Sequence, residues 1–230
     1  MYPLDSTLSH GVAWHILGMA GALIFYSRFY LQWLASEREG QSTIPEVFWH
    51  MSTIGSLALL VYAIATQSPL GALGQCFNLV VYARNLVHIW RNRLAVSPRT
   101  IWLIHFLVGA VTIVSIAFVA SVWTHEFHVN REAAPAVARQ TWLWLGVGVI
   151  GQILFACRFL VQWVATERNC ASTVPVAFWY LSVVATVLQI ACFVQRAEWI
   201  FAVGSAAVIL IYFRNLSLLS NQTQKATSQS

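Results

Sequence analysis

The chain has 230 residues, of which 58% are apolar and only 9% are charged, and its mean hydropathy is +0.66. A soluble domain carries about 25% charged residues, so this composition excludes a soluble globular enzyme. It equally excludes a disordered chain, which needs low hydrophobicity and high charge. The formal net charge of +5 comes from 13 basic and 8 acidic residues that are spread thinly, a pattern that does not predict a nucleic-acid partner.

Seven apolar stretches follow one another along the chain, and each is long enough to cross the hydrocarbon layer as a helix. The runs are continuous, which favours helices over barrel strands. Pro45 and Pro175 stand where the second and sixth helices should begin, and proline is tolerated in the first turn of a helix. The predicted helices cover residues 12–35, 46–66, 70–90, 100–123, 141–165, 176–195 and 199–219.

The basic residues of the connections predict the orientation of the chain. Arg91, Arg93 and Arg99 crowd the third connection, whereas the second connection, residues 67–70, has no charge. The positive-inside rule therefore places the third connection in the cytoplasm. The N-terminus is then outside, in the periplasm, and the C-terminus is inside, where the polar tail at 220–230 is expected to be a disordered cytoplasmic segment.

An internal duplication is the strongest feature of the sequence. Residues 21–86 align with residues 151–216 without a gap, and about a third of the aligned positions are identical. The first copy contains RFYLQWLASEREGQSTIPEVFW and the second contains RFLVQWVATERNCASTVPVAFW, and both end in YxRNL. Chance similarity between apolar helices would not repeat arginine, glutamine, tryptophan, glutamate and asparagine in register.

The repeat predicts an all-α membrane protein with a 3+1+3 plan of seven transmembrane helices. Residues 12–90 form the first three-helix repeat, 100–123 the linker helix and 141–219 the second repeat. With three spans in each repeat, the second repeat would be inverted in the membrane, and the single linker span restores its direction. The two repeats are therefore expected to be parallel, as in SWEET carriers, which bind substrate between their repeats. The alternative is that duplication merely built a stable bundle.

Each copy places a cation and an amide within its first helix. A charge inside a spanning helix costs about 2.5–3.5 kcal/mol on insertion scales, so it favours the bundle interior and a partner. We expect Arg28, Gln32, Arg158 and Gln162 to bind substrate. The alternatives are that the arginines snorkel to the headgroups or pair with a glutamate of their own copy. The shared helix face consists of Gly21, Phe25, Arg28 and Gln32 and, in the second copy, of Gly151, Phe155, Arg158 and Gln162.

The third helix of each copy carries a further polar face that we predict to bind substrate. Its residues are Asn78, Tyr82 and Asn85 in the first copy and Tyr212 and Asn215 in the second, where Val208 replaces the first asparagine. An asymmetric substrate would need such a difference. The alternative role is hydrogen bonding between helices, worth about 1 kcal/mol in membranes.

Two further arginines, Arg84 and Arg214, lie near the predicted cytoplasmic ends of the third and seventh helices. They either complement the helix dipoles there or converge with Arg28 and Arg158 on an anionic headgroup, since arginine favours bidentate phosphate contacts. This surplus of cations predicts an anionic lipid or a polyprenyl-phosphate-linked saccharide as partner. The other residues predicted at this entrance are Glu37, Glu167, Trp33 and Trp163, the tryptophans alternatively belonging to an interface belt.

Catalytic patterns do not accompany these residues. The sequence has no phosphate-cradling glycine loop, no nucleophile elbow, no HExxH and no metal-ligand spacing. We therefore expect no enzyme activity of the chain alone, no cofactor and no metal.

The runs RFxxQWxxSE, SxxPxxFW and YxRNL resemble the lipid A biosynthesis N-terminal domain family. This family is a three-helix membrane module that is distantly similar to PQ-loop and SemiSWEET transporters. The resemblance covers residues 21–90 and 151–219, so it implies a tandem module. Similar modules are fused ahead of lipid-A-disaccharide synthase in some bacteria, but this length leaves no room for that catalytic domain, and synthase activity is not expected.

The resemblance implies a multi-pass protein of the bacterial inner membrane that acts in envelope glycolipid assembly. The first hypothesis is a carrier or flippase for a lipid-linked or phosphorylated saccharide, which works by rocking of the two repeats. The alternative hypothesis is a non-transporting membrane subunit that docks or regulates a glycosyltransferase.

Overall fold

A computed structural model of the chain describes residues 4–39, 45–93, 96–132, 135–169 and 175–227. Every regular element in these ranges is an α-helix, in agreement with the predicted class. The helices are α1 (Leu4–Glu39), α2 (Glu46–Ala65), α3 (Pro69–Arg93), α4 (Pro98–Glu132), α5 (Pro135–Asn169), α6 (Val176–Gln195) and α7 (Trp199–Thr227).

The expected tail at 220–230 is partly wrong, because α7 continues to Thr227. This segment contains glutamine, lysine and alanine, which are good helix formers, so a polar composition does not end the helix there. Residues 228–230 lie outside the described ranges. The helices α2 and α6 match their predicted bounds to within one residue. The helices α1, α3, α4 and α5 extend beyond the predicted apolar runs, since α-helical hydrogen bonding continues past the apolar part of a helix.

The chain divides into two compact units, residues 1–132 and 133–230. In the first unit, α1 packs on α2, α2 on α3 and α3 on α4. In the second unit, α5 packs on α6 and α6 on α7. We call α1–α3 the first module and α5–α7 the second module. The helix α4, which we expected to link the repeats, belongs to the first unit, and the parallel 3+1+3 relation of the repeats stays a prediction.

Five of the described helices are long and apolar enough to cross a membrane, as a helical membrane protein requires. The helix α3 falls short because polar residues interrupt it, and the apolar stretch found among the described residues of α7, Trp199–Arg214, is shorter than the length required. Seven spans are therefore not confirmed. The five candidate spans are residues 11–35, 46–65, 98–129, 139–162 and 176–195.

The two prolines of the repeat stand just before their helices. Pro45 and Pro175 adopt nearly the same extended conformation, with φ −68° and −70°, and they are the N-cap residues of α2 and α6. In each module the backbone N–H three residues later donates to the proline carbonyl at 3.0 Å. The fixed φ of proline thus sets the direction in which the second helix of each module leaves its preceding connection.

The second and third helices of each module are joined by the same tight turn. Gln67 and Ala197 have positive φ values of 54° and 57°. The next residues, Ser68 and Glu198, each donate their N–H to a carbonyl five residues earlier at 2.8 Å. This is the hydrogen-bond pattern of the Schellman motif, which normally has glycine at the left-handed position.

Close packing of α1 on α2 depends on two glycines in the first module. A Cβ added at Gly55 would lie 2.8 Å from the Cα of Phe25, and one added at Gly21 would lie 2.8 Å from the Cβ of Ala58. Small residues let the backbones of membrane helices approach closely. The crossing lies one to two turns from Arg28 and therefore brings the second helix within reach of that side chain.

Candidate ligand site: two buried arginines in aromatic cages

Arg28 is the centre of a cluster inside the first module. Its side chain is 5% exposed, and its Nη1 donates to the hydroxyl of Tyr82 on α3 at 2.6 Å. The guanidinium carbon lies 3.7 Å from the ring centroid of Phe25 and 5.2 Å from that of Phe48 on α2. A single side chain of α1 therefore contacts all three helices of its module.

The second module repeats this cluster around Arg158. The arginine is 8% exposed, and its Nη1 donates to the hydroxyl of Tyr212 at 2.9 Å and to that of Ser182 at 3.4 Å. The guanidinium carbon lies 3.6 Å from the ring centroid of Phe155 and 5.4 Å from that of Phe178. Both cages are thus built from the same arginine, tyrosine and phenylalanine positions of the repeat.

The tyrosines of the cages are held by a third repeated aromatic residue. The ring centroids of Trp49 and Tyr82 are 6.2 Å apart, and those of Trp179 and Tyr212 are 6.0 Å apart, with interplanar angles of 57° and 56°. Offset and tilted aromatic pairs of this kind stabilise packing by about 0.5–1.5 kcal/mol. The tryptophans therefore fix the rings whose hydroxyls meet the arginines.

The cages explain how a cation is tolerated at this position. A charge-assisted hydrogen bond contributes about 1.5–3 kcal/mol, and a desolvated cation–π contact contributes about 2 kcal/mol. Together they offset the insertion cost of about 2.5–3.5 kcal/mol. Arg28 does not snorkel, since its side chain is buried.

Arg28 has only neutral partners in the described part of the chain. No carboxylate whose position is described lies within ion-pair distance of Arg28, and its buried Nε has no hydrogen-bond partner there. Pairing of Arg28 with a glutamate of its own copy, one of the alternatives above, is therefore not observed among these residues. Among the described residues, the positive charge of Arg28 is stabilised by ring faces and one hydroxyl.

Gln32 and Gln162 lie one turn beyond the arginines, on the same helix face, and both are partly buried. Asn78 is 9% exposed and its Nδ2 lies 3.5 Å from the Oε1 of Gln75, which also accepts a hydrogen bond from Ser56 at 2.9 Å. Asn78 thus belongs to a buried polar cluster of α2 and α3.

Asn85 donates to the carbonyl of Val81 in its own helix at 2.7 Å, so this amide is engaged locally rather than with another helix. The side chain of its counterpart Asn215 lies outside the described residues.

The residues predicted at the entrance occupy a different environment from the caged arginines. Arg84 and Arg214 are exposed, as are Glu37 and Trp33. Within the first unit, the guanidinium of Arg28 is therefore enclosed by aromatic rings, whereas Arg84 is exposed at the surface. The side chains of Glu167 and Trp163 lie outside the described residues.

Sequence reasoning missed several members of these clusters. Phe48, Phe178, Ser52 and Ser182 are repeated in register, so the duplication itself contained the signal. Ser52 and Ser182 are fully buried and donate to the carbonyl four residues earlier.

A buried amide pair distinguishes the second module. The Nε2 of Gln189 donates to the Oε1 of Gln152 at 2.8 Å, which joins α6 to α5. The equivalent positions of the first module are Leu59 and Ala22. Gln152 has no counterpart in the repeat and gave no sequence signal.

Residues 17–87 and 147–217 match the sequence profile of the lipid A biosynthesis N-terminal domain. The two matched ranges are offset from each other by the same interval as the predicted repeat, and each contains one complete cage. The tandem resemblance derived from the sequence motifs is confirmed.

The chain is also similar to longer proteins that bear the name lipid-A-disaccharide synthase. The protein of Chlamydia muridarum is 27% identical over 230 residues, which cover 96% of this chain and 36% of the relative. The protein of Chlamydia abortus is 29% identical over 188 residues, which cover 79% of this chain and 29% of the relative. This chain therefore spans about a third of the length of these relatives. No solved structure matches the chain.

Proposed function

The chain belongs to the lipid A biosynthesis N-terminal domain family, and we propose that it is a carrier or flippase for an anionic, lipid-linked saccharide in the bacterial inner membrane. The observation that carries this proposal is the buried cation repeated in both modules, Arg28 and Arg158, each of which donates a hydrogen bond to a tyrosine hydroxyl. The family name and the relatives' names support a role in envelope glycolipid assembly.

A caged arginine of this kind is receptive to a phosphate. The hydroxyl of Tyr82 is a neutral acceptor, whereas a phosphate oxygen makes a charge-assisted hydrogen bond that is roughly twice as strong and can be bidentate. A buried charge also favours an opposite charge over a neutral partner. An anionic headgroup that reaches Arg28 would therefore displace the hydroxyl.

The amides near the arginines suit the neutral part of such a ligand. Gln32 and Gln162 follow Arg28 and Arg158 by one turn on the same helix face, and side-chain amides can both donate to and accept from sugar hydroxyls. The clusters around Asn78 and Gln189 differ between the modules. This difference predicts that the two modules prefer different polar groups of a ligand.

Access to the arginines requires a conformational change within each module. The ring of Phe25 and the hydroxyl of Tyr82 cover the guanidinium of Arg28, so α1 and α3 must part before a ligand can bind. Helix and bundle rocking is the motion by which repeat-built carriers alternate access. The cages are then the resting arrangement and the ligand-bound arrangement is open.

Reconstitution in liposomes tests the proposal with a fluorescent polyprenyl-phosphate sugar as probe. We expect the full chain to move the probe between leaflets faster than protein-free liposomes do. Arg28→Gln and Arg158→Gln should each reduce the rate at least tenfold, because the phosphate loses its cation. Arg139→Gln, which removes an exposed arginine of α5, is the matched control and should leave the rate unchanged.

Two further measurements keep this test decisive. Arg28→Lys retains the charge but loses the planar fork, so it should retain the fold and recover only part of the rate. Monodispersity in detergent shows whether each variant is folded. If folded Arg28→Gln and Arg158→Gln variants move the probe at the rate of the unmodified chain, the caged arginines do not bind the cargo.

A second candidate function is a non-transporting subunit that docks a glycosyltransferase. It is favoured by the similarity to chains about three times longer that bear the name lipid-A-disaccharide synthase. Co-purification from a Gram-negative host tests it. If the chain moves no probe above the protein-free rate and a lipid A glycosyltransferase co-purifies with it, this second function replaces the first.

A further inference from the structure

A groove of about 450 Å³ opens on the second module, where the end of α5 meets the start of α6. Its volume lies within the range of small-molecule sites, about 300–1,000 Å³. The described residues that line it are aliphatic, apart from one arginine toward the end of α5. The lining residues are Leu160, Val161, Val164, Ala165, Arg168 and Pro175.

The groove runs from hydrocarbon depth to headgroup depth. Leu160 lies within the candidate span 139–162, and Arg168 follows the end of that span by six residues. At 1.5 Å per residue, Arg168 is about 9 Å beyond the span. The headgroup layer on each side of a bilayer is about 5–8 Å thick, and a long arginine side chain can turn back toward it, so the guanidinium is within reach of lipid phosphates.

The charge at the mouth of the groove is available to a ligand. Arg168 is exposed, and no carboxylate with a described side chain lies within ion-pair distance of it. Leu160 and Val164 are 58% and 43% exposed, so the aliphatic part of the groove is open along one side. An open aliphatic trough that ends in a cation is complementary to an amphiphile with an acyl chain and an anionic head.

The first module repeats the chemistry of this segment. The residues aligned with it in the first copy are again aliphatic or alanine, and the arginine and the proline are identical. Only Tyr30 departs, where the second module has leucine. The repeated set is Leu31, Leu34, Ala35, Arg38 and Pro45.

We propose that this groove binds one acyl chain of a phosphorylated diacyl lipid, with the lipid phosphate on Arg168. The aliphatic residues exclude water from the first methylenes of the chain, and the guanidinium donates to the phosphate oxygens. This proposal rests on the proposed function, and it specifies the ligand class as an acylated phosphate. Lipid binding at the groove can be measured at equilibrium, so its test does not require translocation.

Native mass spectrometry of the full chain in detergent tests the site with three probes. The probes are a short-chain phosphatidylglycerol, the phosphatidylcholine with the same chains, and glycerol 3-phosphate, which has the phosphate but no chain. We expect phosphatidylglycerol to bind at least fivefold more tightly than phosphatidylcholine, and glycerol 3-phosphate not to bind at the same concentrations.

Two variants separate the two halves of the site. Arg168→Gln should lower phosphatidylglycerol binding to the level of phosphatidylcholine, because it removes the charge and keeps the trough. Val164→Trp should weaken both lipids at least fivefold, because the indole fills the trough. Val187→Trp, at a similarly exposed valine of α6, is the control for the added bulk and should change neither.

The proposal is overturned if Arg168→Gln leaves the preference for phosphatidylglycerol intact, or if Val164→Trp binds both lipids as the unmodified chain does. Equal binding of glycerol 3-phosphate and phosphatidylglycerol would also overturn it, since the site would then be a simple anion site. Lipid binding without probe translocation would retain this site and reject the carrier function, so the two proposals fail separately.

Discussion

Replacing Tyr82 with phenylalanine removes the hydroxyl that accepts from Arg28 and keeps the ring that packs against Trp49. The arginine then keeps its ring contacts but loses its hydroxyl acceptor. Hydrogen bonds to charged groups contribute about 1.5–3 kcal/mol, and a buried charged donor that loses its acceptor costs the full desolvation penalty. We therefore expect Tyr82→Phe to lower the free energy of unfolding by about 2–3 kcal/mol.

The second module supplies a graded comparison. Tyr212→Phe removes the equivalent hydroxyl, but the Nη1 of Arg158 also lies 3.4 Å from the hydroxyl of Ser182. This second acceptor can move closer and replace part of the lost bond. The expected loss is therefore smaller, about 1–2 kcal/mol. The double variant Tyr212→Phe/Ser182→Ala should lose about as much as Tyr82→Phe.

Titration of the folded chain in mixed micelles with increasing denaturing detergent measures these differences by far-UV circular dichroism. Tyr30→Phe is the control, because Tyr30 is 69% exposed on α1. A loss for Tyr82→Phe no larger than that of the control would refute the reasoning that the arginine depends on its hydroxyl partner. Equal losses for Tyr82→Phe and Tyr212→Phe would refute the role assigned to Ser182.

Substitutions at three further places, the α1–α2 crossing, the α6–α7 turn and the amide pair, are expected to alter stability in the same titration. Gly55→Ala should cost about 1–3 kcal/mol by overpacking against α1, whereas the reverse change at its counterpart, Ala185→Gly, should cost about 1 kcal/mol through helix propensity alone. A Gly55→Ala variant that is as stable as the unmodified chain, or more stable, would contradict the close crossing. Ala197→Gly should stabilise the second module by about 0.5–1 kcal/mol, because glycine adopts the positive φ without strain, and a loss would contradict the turn assignment. Gln189→Leu should cost about 1–3 kcal/mol by leaving Gln152 without its partner. Adding Gln152→Ala should recover most of that loss. If the double variant recovers none of the loss, the two amides do not pair.

Much of the fold follows from the sequence because the lengths of apolar runs and the register of the repeat depend only on the order of residues along the chain. The seven helices, the two helix starts after Pro45 and Pro175, and the duplicated module all occur where they were predicted. The end of α7 was misjudged, since a polar segment with good helix propensity continues a helix as well as an apolar one does. Seven membrane spans were predicted, and five helices are long and apolar enough among the described residues, so the full number of spans stays a prediction.

The sequence singled out the arginines and tyrosines of the two cages, but not all of the residues that surround them. Arg28, Tyr82, Arg158 and Tyr212 stood out because their charge or polarity is rare in apolar helices. Phe25 and Phe155 were placed on the same helix face as the arginines, but Phe48 and Phe178 were missed, since their repetition alone does not distinguish a cage residue from an ordinary packing residue. The amide pair of the second module was missed for a further reason, since Gln152 has no counterpart in the first copy.

The sequence by itself determined the class of this protein, its tandem family module and the cations that an apolar environment makes costly. Composition, run length and the register of the repeat suffice for these conclusions because none of them depends on how helices cross. Only the tertiary structure decided that each arginine meets a tyrosine of the third helix of its module, beneath phenylalanine rings of two helices. That contact depends on the distance and angle at which α1 crosses α2 and α3, which glycine contacts and turn geometry set in three dimensions.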